Sequence, residues 1–176
     1  MPRLNEIEPE DADAFTRKLY QRVGMVPNLY VVMANSPMVL DGFLKLTSCL
    51  EGSRLDKKTR EMIYLLTSQI DECEYCLASH TQTATEHGVL TASESLDARR
   101  GRSDDPKVDA MLAFARELVE RRGRVRDETL ARVRSVGYGD EEILDAIGTV
   151  ALATLSNYIA LVAEPDLDFL DAPELE

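Results

Sequence analysis

The 176-residue sequence has no tryptophan, three cysteines and two histidines, and no stretch in which apolar and polar residues alternate as in a half-buried strand. The missing tryptophan excludes nothing. The missing alternation argues against a β-sandwich or barrel and leaves helices to carry the core. Three cysteines are too few for the disulfide framework of a small secreted protein. The N-terminus, Met-Pro-Arg-Leu-Asn-Glu, also lacks the basic-then-apolar pattern of a signal peptide. Both absences point to a cytoplasmic protein, where a closely spaced cysteine pair is more often catalytic or metal-binding than structural. A basic balance is missing as well. The formal charge of −12 argues against nucleic acid or an anionic membrane surface as a partner, because either would be repelled overall. The longest apolar run, Ile143 to Ala163, is interrupted by Asp145, Gly148, Thr149, Thr154, Ser156 and Asn157, and no Lys or Arg flanks its C-terminal end. It is therefore read as a buried helix and not as a membrane span.

With 44% hydrophobic residues, the chain suits one folded domain. Its apolar spacing and its stops describe a succession of seven or eight helices, an all-α single-domain bundle. An N-terminal helix within residues 1–25 is expected from Glu8 to Val23, with Phe15, Leu19 and Val23 facing inward. The body, residues 26–163, follows. The short run Leu29 to Ala34 is too brief to classify by periodicity. Ser36-Pro37 starts a helix to about Leu50, with Cys49 expected as a small core residue in its last turn. Asp56 caps the next helix. Asp71 and Glu72 lead into another that stops near Gly88, where His87 is expected to serve the helix end. A short helix follows Thr91, and further helices start at Asp105-Pro106, Asp127 and Asp140. Residues 164–176 form an acidic tail expected on the surface or against a partner subunit. Eleven of the 20 basic residues lie between Arg99 and Arg134, and none lies among the 42 residues from Ser135 onward, which carry ten acids. A solvated surface accounts for such runs; pairing of the two segments, within or between subunits, is the alternative.

Chemistry concentrates between Glu61 and His80. If Cys73 to His80 is helical, Cys73, Cys76 and His80 fall within a ~60° sector of one face. Cys73 would sit near a helix N-terminus, where unpaired N–H groups favour a thiolate, and Cys76 one turn before an imidazole able to take its proton. Two intervening residues let one cysteine resolve a sulfenic acid or mixed disulfide formed on the other. Glu61 is either the carboxylate that orients His80 or an ordinary exposed glutamate beside Lys57 and Lys58. Zinc is a competing reading of the two thiols and the histidine, although closed zinc sites draw ligands from two elements and no second pair is present. A non-catalytic helical oligomer or binding module, and a general thiol-disulfide oxidoreductase of other substrate, stay open beside it.

Glu61, twelve residues before Cys73, followed by Cys73-x-x-Cys76-x-x-x-His80, resembles the signature of the alkylhydroperoxidase D-like family of the carboxymuconolactone decarboxylase-like superfamily. The similarity extends upstream through Val26-Pro-Asn-Leu, Ser36-Pro37 and Arg60-Glu61 and downstream to Asn157. It implies an all-helical subunit in a homo-oligomer, a trimer or hexamer, and an antioxidant dithiol peroxidase that needs no cofactor and no metal. Its substrate would be an organic hydroperoxide and its electron donor an unidentified dithiol or protein reductant. By that resemblance Cys76 is oxidised to sulfenic acid, Cys73 resolves it and supplies a proton, and His80 with Glu61 relays protons. The resemblance also makes Asn157 a substrate-binding or supporting candidate. Tyr75 stands between the cysteines where well-studied members have a histidine. A phenol is no base at neutral pH, though it can hydrogen-bond.

Overall fold

Five of the helices described below start at a side chain that accepts an orphan backbone N–H of the first turn. The computed structural model describes residues 2–175. Among them nine helices form and no strand. The first, α1, is Ala14–Tyr20, shorter than the Glu8–Val23 expected from spacing. The reason is Asp13, whose carboxylate accepts the Thr16 N–H at 2.7 Å and starts the helix there. Its inward face is Thr16, Leu19 and Tyr20, which leaves Phe15 exposed. The unclassified run becomes α2, Asn28–Met33, and accounts for the ninth helix. Then come α3 (Pro37–Glu51), α4 (Lys57–Ile70), α5 (Glu74–Glu86), α6 (Ala92–Arg99), α7 (Pro106–Glu120), α8 (Asp127–Ser135) and α9 (Asp140–Ala163). Asp56 caps α4 through the Thr59 N–H at 2.9 Å, and Thr91 with Glu94 forms a capping box on α6.

The central helix is α4, which packs against α5, α6, α7 and α9. Its buried residues Met62, Ile63, Leu65 and Leu66 join Met111, Leu112 and Phe114 of α7 and Ala146 and Val150 of α9 in one core. A second core gathers Leu29, Leu40, Phe43, Leu44 and Leu152 around Cys73, Tyr75 and Cys76. The dithiol therefore sits where α5 meets the α2–α3 layer. Helix α9 is long and apolar enough to cross a membrane by length and composition, but half of that window is buried inside the fold. Leu144, Leu155, Tyr158 and Val162 of the same helix are exposed.

Cys49 is exposed, contrary to the core position expected. On α3 the inward residues are Leu40, Phe43, Leu44 and Leu50; Cys49 shares the outer face of the exposed Leu46 instead. The arginine-rich segment pairs mostly with nearby acids: Arg116 with Glu120, Arg121 and Arg126 with Glu117, and Arg132 with Asp109. Arg134–Asp140, at 2.6 Å, reaches into the acidic part. The tail packs on the helices of this chain. Leu170 N–H donates to Gln82 at 2.9 Å, and Arg99 donates to the Pro173 carbonyl.

Candidate active site

The dithiol is placed by the way α4 stops. Glu72 adopts φ +56°, the left-handed region, and the chain closes a Schellman turn with Glu72 N–H on the Gln69 carbonyl (3.3 Å) and Cys73 N–H on the Ser68 carbonyl (3.0 Å). That turn makes Cys73 the N-cap of α5, and its Sγ accepts the Cys76 N–H at 3.3 Å. Both cysteines are free and buried, at 1% and 3% exposure. They differ in what they face. Cys76 lines a cavity of about 430 Å³, whereas Cys73 is not among its lining residues.

The same placement separates the two thiols in acidity. The hydrogen bond from the Cys76 thiol holds the Cys73 thiol below the usual range; burial opposes this and the Cys76 N–H reinforces it. Cys76 is pushed strongly up, first by that shared hydrogen bond and then by burial and the charge on Cys73. The first proton lost from the pair therefore leaves its charge on Cys73. The helix-start argument made from sequence applies to Cys73, and the thiol open to the cavity is the one that keeps its proton at rest.

Glu61 and His80 meet across α4 and α5, with Nδ1 to Oε2 at 3.1 Å. Burial raises the Glu61 carboxyl, but the His80 hydrogen bond and charge, with Lys57 and Arg60, outweigh it and hold the group below its ordinary value. An ionised carboxylate can only accept, so His80 donates from Nδ1 and its Nε2 is left for other chemistry. Both residues line the cavity with Cys76. Tyr64, one turn after Glu61, stacks on the imidazole with ring centroids 4.5 Å apart and planes at 11°. Among the described residues, no three His, Cys, Asp or Glu side chains come together to hold a metal.

Tyr75 also lines the cavity. Its hydroxyl donates to Asp168 in the tail and accepts the Leu29 N–H at 3.2 Å, while Phe169 packs edge-on against the ring at 5.6 Å. Burial, and then Asp168, push the phenol far above its ordinary value. It is a fixed, protonated wall that ties α5 to α2 and the tail. Asn157 is fully buried behind the cysteines and is not among the cavity-lining residues. Its amide donates to Asp71 at 2.8 Å and accepts from Ser68 at 3.1 Å, which fastens α9 to the turn that presents Cys73. His87 is at the C-cap of α5.

Three residues on the cavity wall were not among the site candidates read from the sequence: Tyr64, Ser156 and Arg60. For Tyr64 a signal existed, since it lies three residues after Glu61 on the same helix face. Arg60 is 8% exposed, and its Nη1 donates to the Leu55 carbonyl and, at 3.3 Å, to Ser53 Oγ. The remaining wall is largely apolar, with Leu29, Tyr30, Phe43, Leu50 and Leu152.

Residues 40–120 match the carboxymuconolactone decarboxylase family. That stretch holds Glu61, Cys73, Cys76 and His80 and leaves more than half of the chain outside it. In fold it is similar to an uncharacterized peroxidase-related protein from Ralstonia eutropha JMP134 with an alkylhydroperoxidase AhpD core. The TM-score is 0.79 and the identity 23%, over 95% of this chain and 92% of that one. A peroxidase-related protein from Silicibacter sp. TM1040 gives 0.72 at 24% identity, over 88% and 84%. The debrominase Bmp8, in complex with 2,3,4-tribromopyrrole, gives 0.78 at 18% identity, over 94% and 91%. At these identities the likeness is one of fold. None of the curated proteins matches the chain. Peroxidase-related and debrominase proteins thus share this helical frame.

Proposed function

We propose that this protein is a dithiol peroxidase that reduces organic hydroperoxides at Cys76. The observation that carries the reading is the shared cavity: Cys76, His80 and Glu61 face one half-open, mostly apolar space, with Cys73 hydrogen-bonded to Cys76 from behind. As the substrate docks, the Cys76 proton shifts to the Cys73 thiolate, and the Cys76 sulfur attacks the terminal peroxide oxygen. The O–O bond breaks, the sulfur is oxidised to sulfenic acid, and the leaving alkoxide takes a proton through His80 to become the alcohol. Cys73 then attacks the Cys76 sulfur; the S–O bond breaks, hydroxide leaves as water with a second proton, and a Cys73–Cys76 disulfide remains. A dithiol reductant returns both thiols. The net reaction consumes one hydroperoxide and two thiol equivalents, and gives one alcohol, one water and one disulfide.

The direct test is stoichiometric. Reduced protein treated with one equivalent of cumene hydroperoxide should lose two titratable thiols and gain a Cys73–Cys76 disulfide on peptide mapping. An unchanged thiol count would sink the reading.

A second expected result concerns the resting state. In pH-dependent alkylation followed by mass spectrometry, Cys73 should be labelled at a pH below that of an ordinary thiol, and Cys76 well above it. The reverse order would show that the acidity assigned to the helix cap lies elsewhere.

Association into a homo-oligomer is part of the same proposal. Leu155, Tyr158 and Val162 form an apolar face on α9 with Ala151, Thr154 and Ile159, a kind of surface that monomers rarely expose. Leu155→Glu combined with Tyr158→Glu should reduce the mass in solution to that of one 19.7 kDa chain, read by light scattering. A wild-type protein already monomeric at micromolar concentration would refute the assembly.

A further inference from the structure

Among the described residues the buried carboxylates have ion partners, and two arginines are buried without a carboxylate beside them; one of the two, Arg60, lies on the cavity wall. Asp41 pairs with Lys45 and Arg22, and Glu117 with Arg121 and Arg126. Buried Arg99 spends Nε on Gln69 and Nη1 on the Pro173 carbonyl. Arg60, equally buried, has neutral acceptors for Nη1 alone. Among the described residues no carboxylate lies within ion-pair distance of it, and its Nε and Nη2 have no protein partner. A guanidinium out of water is ordinarily matched by an anion. Its remaining N–H groups form the planar fork that suits a carboxylate.

The surroundings say where that anion would come from. Arg60 lines the cavity that holds Cys76 and His80, and Lys57, one turn earlier on α4, lines it too. Two acids share the wall. Glu61 is occupied by His80. Glu51 is exposed to solvent, where its charge is screened. The rest of the wall, from Leu29 to Leu152, is apolar or aromatic and suits a hydrocarbon body.

We infer that Arg60, backed by Lys57, docks a carboxylate, and that the cavity takes an amphipathic acid whose apolar body reaches toward Cys76. Together with the peroxidase reading, on which this part rests, the substrate is an organic hydroperoxide bearing a carboxylate. Arg60 is then a specificity-determining residue, and Glu61, the next residue in the chain, serves the chemistry.

The test separates binding from turnover. Calorimetric titration of reduced wild-type protein should find 4-isopropylbenzoate bound roughly tenfold or more tightly than 4-isopropylbenzamide, as expected of a charge-assisted pair. Arg60→Met should bring that ratio to about one, and Arg60→Lys should restore part of it. Equal affinities for the two compounds in wild-type protein, no detectable binding of the acid, or a ratio that survives Arg60→Met would each overturn the inference. The wild-type comparison requires no variant to fold. In turnover, 4-carboxycumene hydroperoxide should exceed cumene hydroperoxide in kcat/KM by a similar factor, carried by KM. If the acid is selected in binding while neither hydroperoxide is consumed, the carboxylate site stands and the peroxidase reading falls.

Discussion

Cys76→Ser should reduce hydroperoxide consumption to the uncatalysed background. A serine hydroxyl is far less readily ionised than a thiol and forms no sulfenic acid, so neither the attack nor the resolving step has a replacement. Cys73→Ser should behave differently. Serine is a good N-cap, so α5 keeps its start, and Cys76 is still open to the cavity. The variant should consume one equivalent of cumene hydroperoxide without cycling and accumulate a sulfenic acid that dimedone traps on Cys76. Measured on pre-reduced protein with no added reductant, the two variants divide the reaction into its oxidising and resolving halves. Wild-type turnover by Cys76→Ser would refute the assignment outright. Trapping on a residue other than Cys76 would move the site of oxidation.

The relay should have the next largest effect. Loss of a positioned acid–base group lowers rates by roughly 10²–10⁴-fold. His80→Asn should therefore lower kcat within that range with little change in KM. Glu61→Gln retains a carbonyl that can accept from Nδ1 but removes the charge that stabilises a protonated imidazole, so its loss should be smaller than that of His80→Asn. The pH dependence carries a sign. Because His80 holds the folded Glu61 carboxyl below its ordinary value of 4.5, the carboxylate is ionised throughout the neutral range. Its contribution to the relay and to stability is fully present above the unfolded carboxylate value, and is lost as pH falls through the lower folded one. On the acid side, the Glu61 contribution to kcat should therefore be level down to about pH 4.5 and fall below it. Unchanged kcat in both variants would leave the pair a structural contact only.

Helix content, the stop at Gly88, and the spacing from Glu61 through Cys73 and Cys76 to His80 were legible in the sequence because they are local. Each depends on residues a few positions apart, where helix periodicity and capping fix geometry. The ends of α1 and the facing of Cys49 were read less well. There one cap, Asp13, and a rotation of α3 by a single residue decided what the apolar pattern left open. Glu61 was legible only as a candidate, since whether a carboxylate on one helix meets a histidine on the next depends on how α4 and α5 pack.

Tertiary structure alone decided the remainder. Tyr75 read as a departure from the family pattern; in the fold it is held by Asp168, 93 residues away, and by the Leu29 amide, so its role depends on a tail that no local pattern places. Arg60 read as half of an Arg-Glu pair and became a buried cation on the cavity wall only in the folded chain. The sequence determined which groups could do chemistry and their order along the chain. Packing decided which thiol faces the cavity and which buried cation lies on its wall, because exposure, solvation and pairing belong to the assembled surfaces and not to any single helix.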